Sequence, residues 1–136
     1  MKRRISQIYD AFNRRDLEVF LLLGNDPEVE LHTARLDGEI AAFDLRDVYR
    51  GHSGLLEFVE RWLEAWEELR VELEEVIDCG DRIMVLMHQH GRGRASGAEV
   101  DHEFAQLISL GDNGLAIRVD NFMDHQEALE AVGLSE

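Results

Sequence analysis

Residues 81–134 read DRIMVLMHQH GRGRASGAEV DHEFAQLISL GDNGLAIRVD NFMDHQEALE AVGL. Three runs of strand character, 83–90, 100–110 and 115–123, are separated by Gly91-Arg-Gly-Arg-Ala-Ser-Gly97 and Gly111-Asp-Asn-Gly114. Apolar and β-branched runs broken by short glycine-containing segments are the pattern of antiparallel hairpins, so a curved sheet is expected. The third run passes straight into Asp124-His-Gln-Glu-Ala-Leu-Glu-Ala-Val-Gly-Leu134, where Asp124 with Glu127 three residues on makes a capping-box-like start for a short helix.

Working upstream, Ile5, Ile8, Tyr9 and Phe12 recur at helical spacing. Asn13-Arg-Arg-Asp16 predicts a helix end and a new start capped by Asp16, with Leu17, Phe20 and Leu21 before a glycine stop at Gly24. Asn25-Asp-Pro27 is expected to turn, and residues 28–34 alternate as a strand. Residues 36–50 read as a loop or irregular hairpin at a rim. From Ser53 onward Leu55, Phe58, Val59, Trp62, Trp66 and Leu69 form one stripe, predicting a long amphipathic helix with Trp62 and Trp66 on one face. Residues 70–78 are strand-like and turn at Cys79-Gly-Asp81 into the quoted stretch. A sheet wrapped around helices leaves a pocket between them.

The chain of 136 residues is expected to be one domain with its own core. Cys79 is the only cysteine, so no intrachain disulfide forms and a cytoplasmic location is the expectation. With 29 Asp and Glu against 14 Lys and Arg the formal charge is −15, which disfavours nucleic acid and anionic membranes as partners. The longest apolar runs are too short to cross a bilayer, and no signal-peptide region follows Met1-Lys-Arg-Arg4.

Ala11-Phe-Asn-Arg-Arg-Asp16, Pro27-Glu-Val-Glu-Leu-His32, Tyr49-Arg-Gly-His52, Gly80-Asp-Arg-Ile83, Asp112-Asn-Gly114 and Phe122-Met-Asp124 occur in an order that resembles the SnoaL-like branch of the nuclear-transport-factor-2-like (NTF2-like) superfamily, which also contains ketosteroid isomerases. The resemblance covers nearly the whole chain. It implies a cone-shaped α+β barrel, a bent antiparallel sheet enclosing helices and a cavity, and it implies a homodimer. It leaves function open between catalysis and ligand binding.

Matched to the isomerases, the cavity side is expected to show His88, then His102, Phe104, Gln106 and Ile108, then Ile117, Val119, Asn121 and Met123. A register one residue off turns Asp101, Glu103 and Asp120 inward instead. In the run 83–90, Met84, Leu86, His88 and His90 are expected to line the cone. Ile83, Val85, Met87 and Gln89 are expected to pack against a second subunit.

Residue by residue, the resemblance places His32 at the isomerase's carboxylate base, Ile8 at its helix-one tyrosine with Tyr9 adjacent, and Gln106 at its protonated acid. Steroid isomerase activity is not supported, because that reaction needs the base and two strong donors on an enolate oxygen. His32 as base with Gln106 and Asn121 as donors would still serve cofactor-free isomerisation, cyclisation or hydration. The other reading of His32 is the solvated side of a strand, with Glu28 and Glu30. Phe12, Trp62, Trp66, His88, His102, Phe104 and Met123 are expected to line a pocket for a small apolar or planar organic molecule. His88, His90 and His102 can face one another across a hairpin and would suffice for zinc if they converged, but their spacing is no recognised finger or protease pattern; satisfied histidines are the preferred reading, and no metal and no cofactor are expected. His52 and His125 read as surface or cap residues. The alternative to an enzyme is a non-catalytic ligand-binding or dimerisation module.

Overall fold

Ile5, Tyr9 and Phe12 make one buried face of α1 (Lys2–Asn13), and a break at Arg15, with φ of +63°, leads into α2 (Leu17–Gly24). Asp16 caps α2 by accepting from the Val19 amide, which satisfies one of the amides left without an intrahelical partner. The chain is described here by a computed structural model covering residues 2–33, 47–94 and 96–133. Residues 34–46, which hold the expected end of the strand 28–34 and most of the segment 36–50 expected to be irregular, lie outside the described residues.

Asn25-Asp-Pro27 does not turn. It opens strand β1 (Asn25–His32), where proline is tolerated because the ladder to the neighbouring strand is irregular between Asn25 and Glu30. β2 (Val48–Arg50) pairs with β1, and Gly51, at φ +73°, lets the chain swing at once into α3 (Gly51–Glu64). α3 ends earlier than its apolar stripe suggests. Trp66 and Leu69 belong to β3 (Trp66–Asp78), followed by β4 (Arg82–Gly93), β5 (Glu99–Leu110), β6 (Ala116–Phe122) and α4 (His125–Ala131). Trp62 and Trp66 therefore sit on different elements, although their rings still meet at 6.3 Å.

The six strands form one sheet in the order β2-β1-β6-β5-β4-β3. β3 to β6 run antiparallel, as the glycine-bounded hairpins require, while β1 pairs parallel to β6. The curved sheet is not closed into a barrel, so the α+β expectation holds with that correction. Its edge at β3 is covered by the Asn13-Arg-Arg segment. The Asn13 amide donates to the Val71 carbonyl and accepts from the Val71 amide, both at 2.8 Å, and Arg15 donates to Leu69 O at 2.6 Å. At Leu69 and Val71 these side chains stand in for a neighbouring strand and satisfy edge groups that another chain could otherwise pair with.

The two faces of β4 are reversed from expectation. Ile83, Val85 and Met87 face the helices, whereas Met84 and Leu86 lie on the outer face with Ala105, Leu107 and Phe122, under Ala128 of α4. The second apolar face is thus covered within the chain.

Candidate functional site

The inner face of the sheet and helices α1 and α2 enclose a cavity of about 320 Å³. Ile5 and Ile8 from α1, Leu31 from β1, Ile83 from β4, Ile108 from β5 and Val119 from β6 form its wall. Arg4, Gly24 and Gly114 stand around it as well, and Arg4, which is exposed, is held by a 2.8 Å bond to Leu23 O. A smaller recess of about 40 Å³ adjoins it, with Phe12, Phe58, Trp62, Met87 and Phe104 in its wall. Tyr9 and Gln106 belong to both walls.

The polar groups at this junction form a directed chain. The Tyr9 hydroxyl bonds Gln106 Oε1, Gln106 Nε2 bonds Asn121 Oδ1 at 2.8 Å, and Asn121 Nδ2 bonds the backbone carbonyl of His32 at 3.0 Å. Its polarity is fixed from one end. A carbonyl only accepts, so Asn121 must donate to it and present its oxygen to Gln106. Gln106 must then present nitrogen to Asn121 and oxygen to Tyr9, and the Tyr9 proton is committed to Gln106. What Tyr9 has left is oxygen lone-pair capacity. Burial pushes the Tyr9 phenol well up from its ordinary range, because a phenolate there would lose its water, so the group stays neutral.

Gln106 and Asn121 both face inward, brought side by side because they are direct partners in the β5–β6 register. Asp101 is exposed on the opposite face, and Asp120, opposite Leu107, makes a two-pronged ion pair with Arg118 at 3.0 Å for each prong. His32 is a correction. It sits opposite Asp120 on the outer face, while its neighbour Leu31 pairs with Val119 and faces the cavity. The His32 ring lies 3.0 Å from Glu30, and this bond, aided by Arg50, holds the Glu30 carboxyl below the usual carboxylate range. The base expected in the cavity is outside it, since alternation sends residue 32 opposite to residue 31.

Phe12, Trp62 and Phe104 line the recess, but Trp66 packs between Trp62 and His102, and half-buried Met123 packs against the core. His102 is on the inner face with Nε2 at 3.0 Å from Gln89 Oε1. His88 is on the outer face, 3.1 Å from Glu74. Ile117, expected inward, is 44% exposed, because the ladder shifts at Ser109–Leu110 and Ala116 takes a place in the cavity wall. Tyr9 was missed as the site tyrosine: an ungapped count selects Ile8, yet both line the cavity. No carboxylate and no imidazole lines the cavity among the described residues.

Residues 5–119 match the family model of the SnoaL-like domain. The chain belongs to that family. Among solved structures it is similar to TerC co-crystallised with polyporic acid, at 25% identity over 96% of this chain and 95% of that one, with a TM-score of 0.76. It is similar too to an NTF2-like protein of unknown function from Burkholderia pseudomallei, at 22% identity, 97% and 96% coverage and a TM-score of 0.76. A putative SnoaL-like polyketide cyclase from Jannaschia sp. shares 18% identity over 98% and 92% of the two chains, with a TM-score of 0.67. Among curated proteins none matches the sequence. No helix among the described residues of this SnoaL-like domain is long and apolar enough to cross a membrane.

Proposed function

We propose that this SnoaL-like domain binds a small, largely apolar, flat organic molecule carrying a hydroxyl group, and that it does so as a non-catalytic binding module. The observation that carries the reading is the direction of the Tyr9–Gln106–Asn121 chain. With its proton committed to Gln106, Tyr9 offers the cavity an acceptor, which suits a ligand O–H. An oxyanion hole needs the opposite, a donor aimed at developing negative charge. The volume of about 320 Å³ lies near the lower end of small-molecule sites, and the mostly aliphatic wall favours apolar area. Arg4 at the edge suits an acidic or carbonyl oxygen at the far end of the same molecule. TerC, crystallised with polyporic acid, supports an organic ligand for this fold.

The second reading is cofactor-free acid–base catalysis of isomerase, cyclase or hydratase type, favoured by the likeness to the Jannaschia cyclase. It needs a carboxylate or imidazole base, and none lines the cavity among the described residues. The expected homodimer rests on the family resemblance and on a second apolar face of β4; α4 covers the outer apolar face, so the resemblance is what supports a homodimer, and the proposed binding needs only one protomer. A cytoplasmic setting fits the single free cysteine.

The test is a thermal-shift screen of two-ring phenols on wild type and on Ala116→Phe, which fills the cavity from a buried wall position. Stabilisation of the wild type alone is expected. An enolisable ketone incubated with the protein in deuterated buffer should exchange no faster than in buffer alone. Protein-dependent exchange would put the catalytic reading ahead.

A further inference from the structure

The outer face carries a second constellation, unrelated to the cavity. Glu74, His88 and His125 each offer a ligand atom, and the three atoms lie within 4.8 Å of one another. His88 Nε2 is 3.1 Å and His125 Nδ1 is 3.6 Å from the same oxygen, Glu74 Oε2. Ligands about 2.1 Å from one ion sit roughly 3.0 Å apart in octahedral and roughly 3.4 Å apart in tetrahedral geometry. Both distances to Glu74 lie close to that spacing, and the two histidine nitrogens are within 4.8 Å of each other.

The second nitrogen of each ring is already engaged. His125 Nε2 faces two backbone carbonyls, Met87 O at 2.9 Å and Phe104 O at 3.1 Å, so Nε2 carries the proton. In the neutral ring Nδ1 is then a lone pair, and it looks at Glu74 and, at 3.7 Å, Glu103 Oε2. A lone pair facing two carboxylates is repulsive, and either a proton or a metal cation between them relieves it. His88 repeats the arrangement, with Nδ1 3.3 Å from Asp101 Oδ1 and Nε2 toward Glu74. A ring whose outer N–H is held by a carbonyl or carboxylate, with the other nitrogen aimed at shared space, is how metal-ligating histidines are oriented.

The backbone is shaped for it too. Leu73 pairs with Met87 and Glu75 with Leu86, so Glu74 is the extra residue of a bulge in β3, opposite no partner. Bulges re-aim a side chain, and this one puts a carboxylate on the face of His88. Asp124 meanwhile caps α4 and sets His125 over the sheet, where the Glu103 carboxylate accepts the His125 amide at 2.9 Å.

We propose that Glu74, His88 and His125 form a site for one divalent first-row transition ion of the zinc class, with Glu103 beside it and a coordination position left to solvent. Two imidazoles and a carboxylate suit zinc and its neighbours and not calcium or magnesium. The ion ties β3 and β4 to α4, so it holds the C-terminal helix on the sheet and is not required for the core.

The test is calorimetric and spectroscopic titration of tag-free, chelator-treated protein with Zn²⁺ and Co²⁺. Wild type should take up one equivalent, show Co²⁺ visible bands and melt at a higher temperature when loaded. Glu74→Gln, at an exposed position, and His88→Ala should each weaken binding tenfold or more, whereas His102→Ala, on the inner face, should change it less than twofold. No saturable uptake by wild type would overturn the site, as would uptake that survives both Glu74→Gln and His88→Ala. Circular dichroism of each variant separates lost ligands from lost fold.

Discussion

The two faces of one sheet do opposite things with polar groups. On the inner face, Tyr9, Gln106 and Asn121 are neutral, share their protons in one direction and end on a backbone carbonyl. On the outer face, His88, His90 and His125 stand among Glu72, Glu74, Asp101 and Glu103, each histidine within 3.7 Å of a carboxylate. Water sorts them. Exposed carboxylates stay solvated and cost little, while a buried polar group costs free energy unless every hydrogen bond is made. The carboxylates and imidazoles of this contrast stand on the outer face, and the cavity wall among the described residues carries none.

The largest effect that separates the faces is expected at Trp62, which is 3% exposed and packs on Phe58 at 5.9 Å and Phe104 at 5.6 Å. Trp62→Ala should destabilise by about 3–5 kcal/mol, read as a shift in denaturation midpoint at constant slope. Next comes Gln106→Leu, which strips the buried Tyr9 hydroxyl of its acceptor and Asn121 Oδ1 of its donor, for about 1–3 kcal/mol. Adding Tyr9→Phe should recover part of that loss, because the orphaned hydroxyl goes with it. A double mutant as unstable as the sum of the singles would break the chain into unrelated contacts.

On the outer face, His88→Ala without metal should cost no more than about 1 kcal/mol, since the pairs it loses are half-exposed. A loss exceeding that of Gln106→Leu would invert the comparison. The smallest effect at neutral pH concerns Tyr9, whose buried phenol has a raised pKa. The unfolded chain ionises at the ordinary value of 10.0 and the folded chain does not, so the stability held by the neutral phenol is complete below that value. It is lost as pH rises above 10.0 toward the folded pKa. Alkaline melts should therefore fall less steeply for Tyr9→Phe than for wild type.

What was legible in the sequence follows the contrast between faces. In β5, Phe104, Gln106 and Ile108 alternate with a row that carries Asp101 and Glu103 besides Ala105 and Leu107, so the charges favour that row as the outer one even though part of it is buried. In β4, Ile83, Val85 and Met87 are no more apolar than Met84 and Leu86, so period-two alternation names two faces without saying which is inner. The reversal of His88 has that cause. Trp66 continued the helical stripe of Trp62, but α3 ends at Glu64, and no glycine or proline marks the end. His32 fell on the outer face because pairing with β6 sets the register, and a count from Asp16 carries no register. Glu74 and His125 are 51 residues apart and meet only through a bulge and a helix folded back over the sheet, which no spacing motif encodes.

The most direct measurement is a calorimetric cycle with a two-ring phenol and its methyl ether on wild type and Tyr9→Phe. If the cavity reads a ligand hydroxyl through the Tyr9 oxygen, wild type should prefer the phenol by about tenfold, the worth of one buried hydrogen bond, and Tyr9→Phe should bind both alike. Equal affinity of wild type for the two ligands, or a preference that survives Tyr9→Phe, would contradict the account.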